Sequence, residues 1–407
     1  MEESRFSIID VVNINQNNLS IIRQTSTKID AVCPRCGDTR GKFSISLVKD
    51  ACNCFHCRFG GGPIALQKEL TGETDNKKAA ATIYKALDSG EYVFTPKAVS
   101  QEPEITIEKE SDENISIVMF AILRHCELRK EHKEDLIKRG FSEEDIERFR
   151  FRSVPLDTKG LCKKLLSAGY VLEGIPGFYV DKYGDWDMAI SWDSEKQKKK
   201  TGYFCPVFNG EMNLILGFQI RYDYGDPKYL WFSSSGKQKG ISSGAMATYL
   251  PGKSEEAVII TEGILKATLV YCLCNKQVTV IGVPGVSNYK TAAPYLANLL
   301  NSYVFEAYDM DKALNPVDKK TKEKTERIAQ DAQNLKNFVE ENYGLIVKPL
   351  KWQFDENGYS VGEKGLDDFL STYPEREKFI QYILGIAHNN AAMMKNLIKK
   401  TINPLCE

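Results

Sequence analysis

The stretch Ala257-Val-Ile-Ile-Thr-Glu-Gly-Ile-Leu-Lys-Ala267 carries the decision about the fold. An apolar run leads straight into Glu262-Gly263, and a helical pattern starts at Ile264. A short continuous apolar run stopped by a glycine predicts a strand buried on both faces, as in a parallel sheet. The pattern recurs downstream. Val278-Thr-Val-Ile281 precedes a helix predicted from about Thr291, and Tyr303-Val-Phe-Glu-Ala-Tyr308 precedes one from about Thr325. Leu345-Ile-Val347 closes the series. Strands alternating with helices predict an α/β class with a parallel sheet.

Acids stand where such strands end. Glu262 follows the first strand directly, and Asp309-Met310-Asp311 follows Tyr303–Tyr308. Ligands of parallel sheets gather at the carboxyl ends of the strands. Residues two apart in extended chain point the same way, so Asp309 and Asp311 are expected to face one ion. Adjacent strands lie about 4.8 Å apart, which would bring Glu262 to the same ions. Clustered carboxylates suit Mg2+, a hard cation that keeps waters for exchange with phosphates. A lone Asp-x-Asp is weak evidence, but strand-Glu-Gly with strand-Asp-x-Asp 47 residues later is far more specific.

Upstream, Tyr203-Phe-Cys-Pro-Val-Phe208 and Leu214-Ile-Leu-Gly-Phe-Gln-Ile220 read as strands around the turn Asn209-Gly210. Ser116 to about Arg152 is helical, with Ser142 before Glu143-Glu144-Asp145 signalling a helix start inside it. Glu91–Ile115 reads as an acidic linker, with Pro96 and Pro103. Before it lie the apolar-periodic Pro63–Leu70 and a predicted helix over Lys77–Leu87.

The amino-terminal region is dominated by cysteine. Cys33-Pro-Arg-Cys36, seventeen residues, then Cys54-Phe-His-Cys57 form two close pairs. Four thiolates so spaced can surround Zn2+ tetrahedrally. Lys42–Val48 between them reads as a ribbon strand. Cys52 is read as a bystander and His56 as exposed rather than a ligand. The zinc can serve as a staple for a small fold. The functional reading is a nucleic-acid contact through Arg35, Arg40, Lys42, Phe55 and Arg58, although Phe43 and Phe55 are expected in the ribbon core.

Composition bounds these readings. The chain has 407 residues, 42% hydrophobic and 27% charged, which is a soluble globular balance with room for several domains. An odd count of eleven cysteines, with no secretion signal in Met1–Asp10, argues against a disulfide framework and for a cytoplasmic protein. No run approaches the roughly 18 apolar residues of a membrane span. The net charge of −1 does not advertise a nucleic-acid partner by itself, but Lys196–Lys200 and Lys319–Lys324 are locally basic. With four histidines, none in a Ser or Cys motif, a hydrolase triad has no support.

Taken together, the Glu-Gly and Asp-x-Asp motifs resemble the Toprim domain shared by bacterial DnaG-type primases, topoisomerases and some nucleases. The resemblance to the primases is wider. Ile8–Val12 through the four cysteines to Cys57-Arg-Phe-Gly-Gly-Gly62 is similar to the primase zinc-binding domain. Arg139-Gly-Phe-Ser-Glu-Glu-Asp-Ile-Glu-Arg-Phe-Arg150 is similar to the start of the primase polymerase domain. Gly217–Arg221 and Pro227–Leu230 are similar to its basic strands.

Departures are also present. Cys36 stands where the family commonly has histidine, and Lys266 stands where an acid usually follows the Glu-Gly. Glu262–Ala267, Gly282–Asn288 and Lys364–Leu370 look more like Toprim proteins of phages, plasmids and integrating elements. The 36 residues after Ser371 are too few for the family's helicase-binding domain.

The resemblance implies a zinc ribbon over 1–90, a linker over 91–115 and the amino-terminal part of a primase core over 116–250. A Toprim domain over 251–371 and a short helical tail over 372–407 complete it. It implies a DNA primase of a mobile element, a nucleotidyltransferase making short RNA primers on single-stranded DNA. Structural Zn2+ would be held by Cys33, Cys36, Cys54 and Cys57. Catalytic Mg2+ or Mn2+ would be held by Glu262, Asp309 and Asp311, with Asp367 or Asp368 a weaker addition. Arg221, Lys228 and Lys266 would meet template or nucleotide phosphate. Implied partners are the template strand, nucleoside triphosphates and a replicative helicase. The rivals are a Toprim nuclease and an inactive zinc-ribbon/Toprim DNA-binding protein, in which Lys266 marks lost chemistry.

Overall fold

Short alternating strands around the cysteine pairs build the first of two units, residues 1–105; the second spans 106–407. The computed structural model describes residues 6–25, 27–88, 107–211, 213–299, 302–315 and 318–402. In the first unit, helix α1 (Ile8–Ile14) precedes strands β1 (Ile21–Gln24), β2 (Lys28–Ala31), β3 (Phe43–Ser46), β4 (Ala51–Cys54) and β5 (Gly60–Gly61). The strands pair in sequence order, all antiparallel. Helices α2 (Pro63–Thr71) and α3 (Asn76–Asp88) follow. Pro63 suits the first turn of α2, where a missing N–H costs nothing. Val11, Ile29, Phe43, Ile45, Leu66 and Ile83 form one core. Most of the linker expected at 91–115 lies outside the described residues; its last four residues belong to a helix.

That helix is α4 (Asp112–His125), followed by α5 (Lys130–Arg139), α6 (Glu143–Arg148), β6 (Arg152–Ser153) and α7 (Thr158–Ser167). The helical stretch expected over Ser116–Arg152 is thus three helices. Gly140, left-handed at φ 113°, ends α5, and Ser142 caps α6 by accepting from the Asp145 N–H. Two small hairpins come next, β7 (Phe178–Val180) with β8 (Trp186–Met188) and β9 (Trp192–Asp193) with β10 (Lys198–Lys199).

The main sheet has nine strands. They are β6, β11 (Gly202–Asn209), β12 (Leu214–Tyr222), β13 (Tyr229–Trp231), β14 (Thr248–Leu250), β15 (Ser254–Glu262), β16 (Val278–Val283), β17 (Tyr303–Glu306) and β18 (Ile346–Pro349). Helices α8 (Ile264–Leu273), α9 (Ala293–Leu296), α10 (Lys319–Tyr343), α11 (Leu366–Thr372) and α12 (Arg376–Ile402) complete the unit. The order is β13-β12-β11-β14-β16-β15-β17-β18, with β6 beside β11. The half built from β16, β15, β17 and β18 is parallel, as expected, and the half around β11–β12 is antiparallel. The fold is therefore mixed α/β.

Burial on both faces explains the apolar runs. In β15, Ala257 and Ile259 pack with α8 and α11, whereas Val258 and Ile260 pack with α10. Fully burying such side chains contributes roughly 1.5–3 kcal/mol each. Two helices differ from expectation. The segment from Thr291 is a 3-10 turn (Val286–Ala292) leading into the four-residue α9. The helix expected from Thr325 starts earlier, at Lys319, because Asp318 caps it by accepting from the Thr321 N–H at 2.9 Å. Its first turn is all polar and carries no apolar period. Among the described residues, no helix is long and apolar enough to cross a membrane.

Candidate functional site

In the amino-terminal unit the two cysteine pairs close on each other. Cys33 and Cys36 flank a turn in which the Gly37 N–H donates to the Cys33 carbonyl, and Cys54 ends β4 just before a like turn to Cys57. The Sγ atoms of Cys33 and Cys57 lie 3.7 Å apart, and those of Cys36 and Cys54 lie 3.9 Å apart. Four sulfurs about 2.3 Å from a tetrahedral Zn2+ would be spaced by roughly 3.8 Å, so the donor set fits zinc. Cys52 is buried in the core and is not one of the four clustered cysteines, and His56 is exposed with Nδ1 3.4 Å from Cys36 Sγ.

The ribbon's surface differs in part from expectation. Phe43 is core, but Phe55 is 75% exposed, because it lies beyond the end of β4 on the outside of the second turn. Arg35 is bound to Glu69 at 2.5 Å and lies over the Phe59 ring, and Arg40 is bound to Asp38. Lys42 is exposed.

In the second unit the acids meet at the carboxyl ends of β15 and β17, which are parallel neighbours. Glu262 is the last residue of β15. Gly263, at φ 85°, turns the chain directly into α8, a conformation glycine adopts without strain. That turn places Lys266, one helical turn on, back over Glu262 at 3.6 Å. Strand β17 stops at Glu306, two residues earlier than predicted, and Asp309 opens a 3-10 turn (Met310–Ala313). Asp309 and Asp311 therefore converge through a tight turn, not through strand alternation. Both are buried and both face Lys364, whose Nζ is 3.6 Å from Asp309 and 2.8 Å from Asp311.

Lysines pair with three of these acids, Glu262, Asp309 and Asp311. Lys266 donates to Asp309 as well as facing Glu262, and Lys324 reaches Asp311 at 2.5 Å. Burial, resisted by Lys266 and reinforced by Asp309, raises the Glu262 carboxyl to about 7. Burial likewise raises Asp367 to about 6, against the pull of Lys266. Burial also pushes Asp311 upward, but hydrogen bonds from Lys324 and Lys364 outweigh it and hold this carboxyl below its usual range. Lys266 is raised, because Asp309, Asp367 and Glu262 together overcome its desolvation.

These acids suit a hard divalent cation in donor type, and Asp367 Oδ1 is a buried acceptor without a partner. Convergence is incomplete. Among the described residues, the four cysteines are the only group of three or more candidate ligands with all donor atoms within 4.8 Å of one another.

A second pair, not foreseen, steadies the Asp-x-Asp turn. Glu306 and Lys312 are almost fully buried, and Lys312 Nζ lies 2.7 and 2.8 Å from the two carboxylate oxygens. Glu306 also accepts from the Tyr308 N–H at 2.6 Å. The sequence signal was present: an acid inside an apolar strand needs a partner.

The basic side chains divide. Arg221, on β12, is 13% exposed, lies 3.4 Å from Asp135 and faces the Tyr203 ring. Arg139 donates to Asp135 at 2.9 Å, so α5 and β12 present two guanidinium groups around one carboxylate. Arg221 Nε is buried with no acceptor. Lys228 is exposed at the β12–β13 turn and makes no ion pair among the described residues. Lys266 belongs to the acid group and not to this cluster. Ser371 joins the two places: its hydroxyl is 2.8 Å from the Asp367 carbonyl and 3.1 Å from the Arg139 carbonyl. Gly140 permits this approach, since a Cβ there would lie 2.9 Å from Ser371 Oγ.

Comparison with known proteins gives a relative for this arrangement. No family model matches the chain. Over 239 residues it is 28% identical to the DNA primase of Halalkalibacterium halodurans, covering 56% of this chain and 37% of that protein. The chain thus spans well under half the length of the curated relative it matches. Among solved structures it is similar to the zinc-binding and RNA polymerase domains of the Aquifex aeolicus primase, with 16% identity, a TM-score of 0.45, and 92% and 83% of the two chains covered. It is also similar to the RNA polymerase domain of Mycobacterium tuberculosis primase DnaG, solved with a double-stranded DNA oligomer bearing an overhang: 12% identity, a TM-score of 0.45, and 68% and 81% covered. The primase similarity expected from the motifs is thus found by sequence comparison over more than half of this chain.

Proposed function

We propose that this chain is a DNA primase that joins nucleoside triphosphates into short RNA primers on a single-stranded DNA template. One observation carries the reading: Glu262 and Asp309 meet through Lys266 beside the ends of the neighbouring strands β15 and β17, and α11, which bears Asp367, is tied to the end of α5, which bears Arg139, by the Ser371 hydroxyl donating to the Arg139 backbone carbonyl. Acids to hold cations beside guanidiniums to hold phosphate is the donor set that nucleotidyl transfer needs. The similarity to a curated DNA primase supports it.

In this reading residues 251–371 are a Toprim domain, and Glu262, Asp309, Asp311 and Asp367 hold Mg2+ or Mn2+. When bound, the metal lowers the charge of the triphosphate and favours the attacking hydroxyl and the leaving pyrophosphate. Arg221 and Arg139 orient a phosphate, with Lys228 adding charge at the rim. Zn2+ on Cys33, Cys36, Cys54 and Cys57 holds the ribbon, whose exposed Phe55 and Lys42 face template. A cytoplasmic enzyme of a mobile element, working beside a replicative helicase, fits the motif resemblances.

A second reading has its own observation. The lysines paired with Glu262, Asp309 and Asp311 are compatible with a DNA-binding protein without chemistry. Incubating the protein with single-stranded DNA, ribonucleotides and Mg2+ or Mn2+ tests both. New oligomers support the primase; template cleavage indicates the nuclease rival; binding without either product supports the inactive protein.

A further inference from the structure

Helix α8 is buried along its whole length except at one residue. Ile264, Leu265 and every residue from Ala267 to Leu273 are buried, and the exception is Lys266. Its side chain is nonetheless only 19% exposed. It lies in the first turn of the helix, where the macrodipole disfavours a cation. An acid in this turn would help the helix, so the lysine's place is set by its partners and not by α8 itself. Those partners are Asp309, to which it donates, and Glu262 at 3.6 Å. The ammonium thus bridges the carboxylates that end β15 and follow β17.

The other two lysines behave differently. Lys324 and Lys364 reach Asp311 from side chains that are 47% and 52% exposed. These ammonium groups reach solvent, although Lys364 also lies 3.6 Å from Asp309, and ion pairs open to water are released at little cost. Lys266 differs, since its side chain is only 19% exposed and it pairs with both Glu262 and Asp309.

Polymerase centres of the two-metal kind place two cations about 3.5–4 Å apart, bridged by shared carboxylates. We propose that Lys266 is a built-in cation that takes the place of one of those two ions, so that this centre binds a single divalent ion, at Asp311. The inference rests on the metal-dependent reading above and deepens it. Lys266 here is a positioning residue, and it narrows the ligand set of that reading: of the acids assigned there, Glu262 and Asp309 are neutralised by the lysine and Asp311 keeps the ion.

Counting ions tests this without any turnover. Zinc-loaded full-length protein is titrated with Mn2+, and free Mn2+ is read by its electron paramagnetic resonance signal. The expected result is one tight Mn2+ per wild-type chain, two in Lys266→Ala, and none in Asp311→Asn. Lys266→Gln serves if the alanine variant fails to fold, as judged by circular dichroism and zinc content, and the wild-type count stands alone if neither folds. Two ions on the wild type, or still one on a folded Lys266 variant, overturns the inference and leaves the metal-dependent reading intact. One ion retained by Asp311→Asn also overturns it. No ion on the wild type overturns the metal-dependent reading itself.

Discussion

Replacing Lys312 by methionine should unfold the second unit far more easily than its distance from the surface suggests. Lys312 Nζ lies 2.7 and 2.8 Å from the Glu306 oxygens, with side-chain exposures of 6% and 2%. At an effective dielectric of about 20, charges at this separation attract by about 6 kcal/mol. Removing both ions from water costs several kcal/mol each, so the pair as a whole is close to neutral for stability. Losing one partner is another matter. Lys312→Met leaves Glu306 buried and charged with nothing opposite, which should cost about 3–5 kcal/mol. Glu306→Gln with Lys312→Met removes both charges and keeps an acceptor for the Tyr308 N–H. That double variant should lie within about 1 kcal/mol of the wild type, and so recover roughly 2–4 kcal/mol of what Lys312→Met alone loses. Urea unfolding followed by tryptophan fluorescence measures it, since Lys312 lies 5.8 Å from the centre of the Trp352 ring. A single variant that costs under about 1 kcal/mol refutes the claim that the pair is desolvated. A double variant as unstable as Lys312→Met refutes the balance of attraction and desolvation.

Cys33→Ser with Cys54→Ser should reduce bound zinc from one per chain to none by elemental analysis. Structural zinc supplies about 10–16 kcal/mol to such sites, so the amino-terminal unit of that variant should resist proteolysis poorly. Binding to single-stranded DNA should weaken steeply with salt despite the net charge of −1, and Arg221→Ala should make that dependence shallower; fluorescence anisotropy across a salt series measures both. Asp309→Asn should abolish primer synthesis while leaving DNA binding close to wild type, and full synthesis by this variant at ordinary Mg2+ removes Asp309 from the site. His132 is buried between Ser153 and Asp223, and burial, opposed by Asp223, lowers it from 6.5. A lowered histidine contributes stability that is present above about 6.5 and lost as pH falls, because the unfolded chain then binds the extra proton. Going from about pH 7.5 to about pH 5, the urea midpoint should therefore drop less in His132→Gln than in the wild type.

The parallel half of the sheet was legible because burial on both faces leaves a continuous apolar trace, as in Val258–Ile260. The meeting of the four cysteines was legible because two close pairs at that separation can bring their sulfurs to one point. The placing of Glu262 and Asp309 near one another beside neighbouring strand ends was legible too, since strand ends can be counted. Side-chain direction was less accessible. Asp309 and Asp311 were taken as two positions of extended chain, yet β17 ends at Glu306 and a 3-10 turn carries both. Phe55 was placed in the core by its apolarity, although a turn held by sulfurs leaves it 75% exposed.

The least legible features are charges whose partners are remote in sequence. Lys266 stood out because it occupies the place where the resemblance expects an acid, and it was assigned either to phosphate or to lost chemistry. Its actual partner, Asp309, stands 43 residues away and is fixed only by the pairing of β15 with β17. The same holds for Arg139 and Arg221, which share Asp135 across 82 residues of chain. Glu306 could have been read. A carboxylate inside Tyr303–Tyr308, in a sheet already judged buried on both faces, has no solvent to face and must find a cation. Lys312, six residues on, is the nearest lysine that follows it, and the turn between them is the one that carries both aspartates. An isolated charge in an apolar run is thus a positional clue: it marks where the chain must bend back on itself, and here the bend is the candidate site.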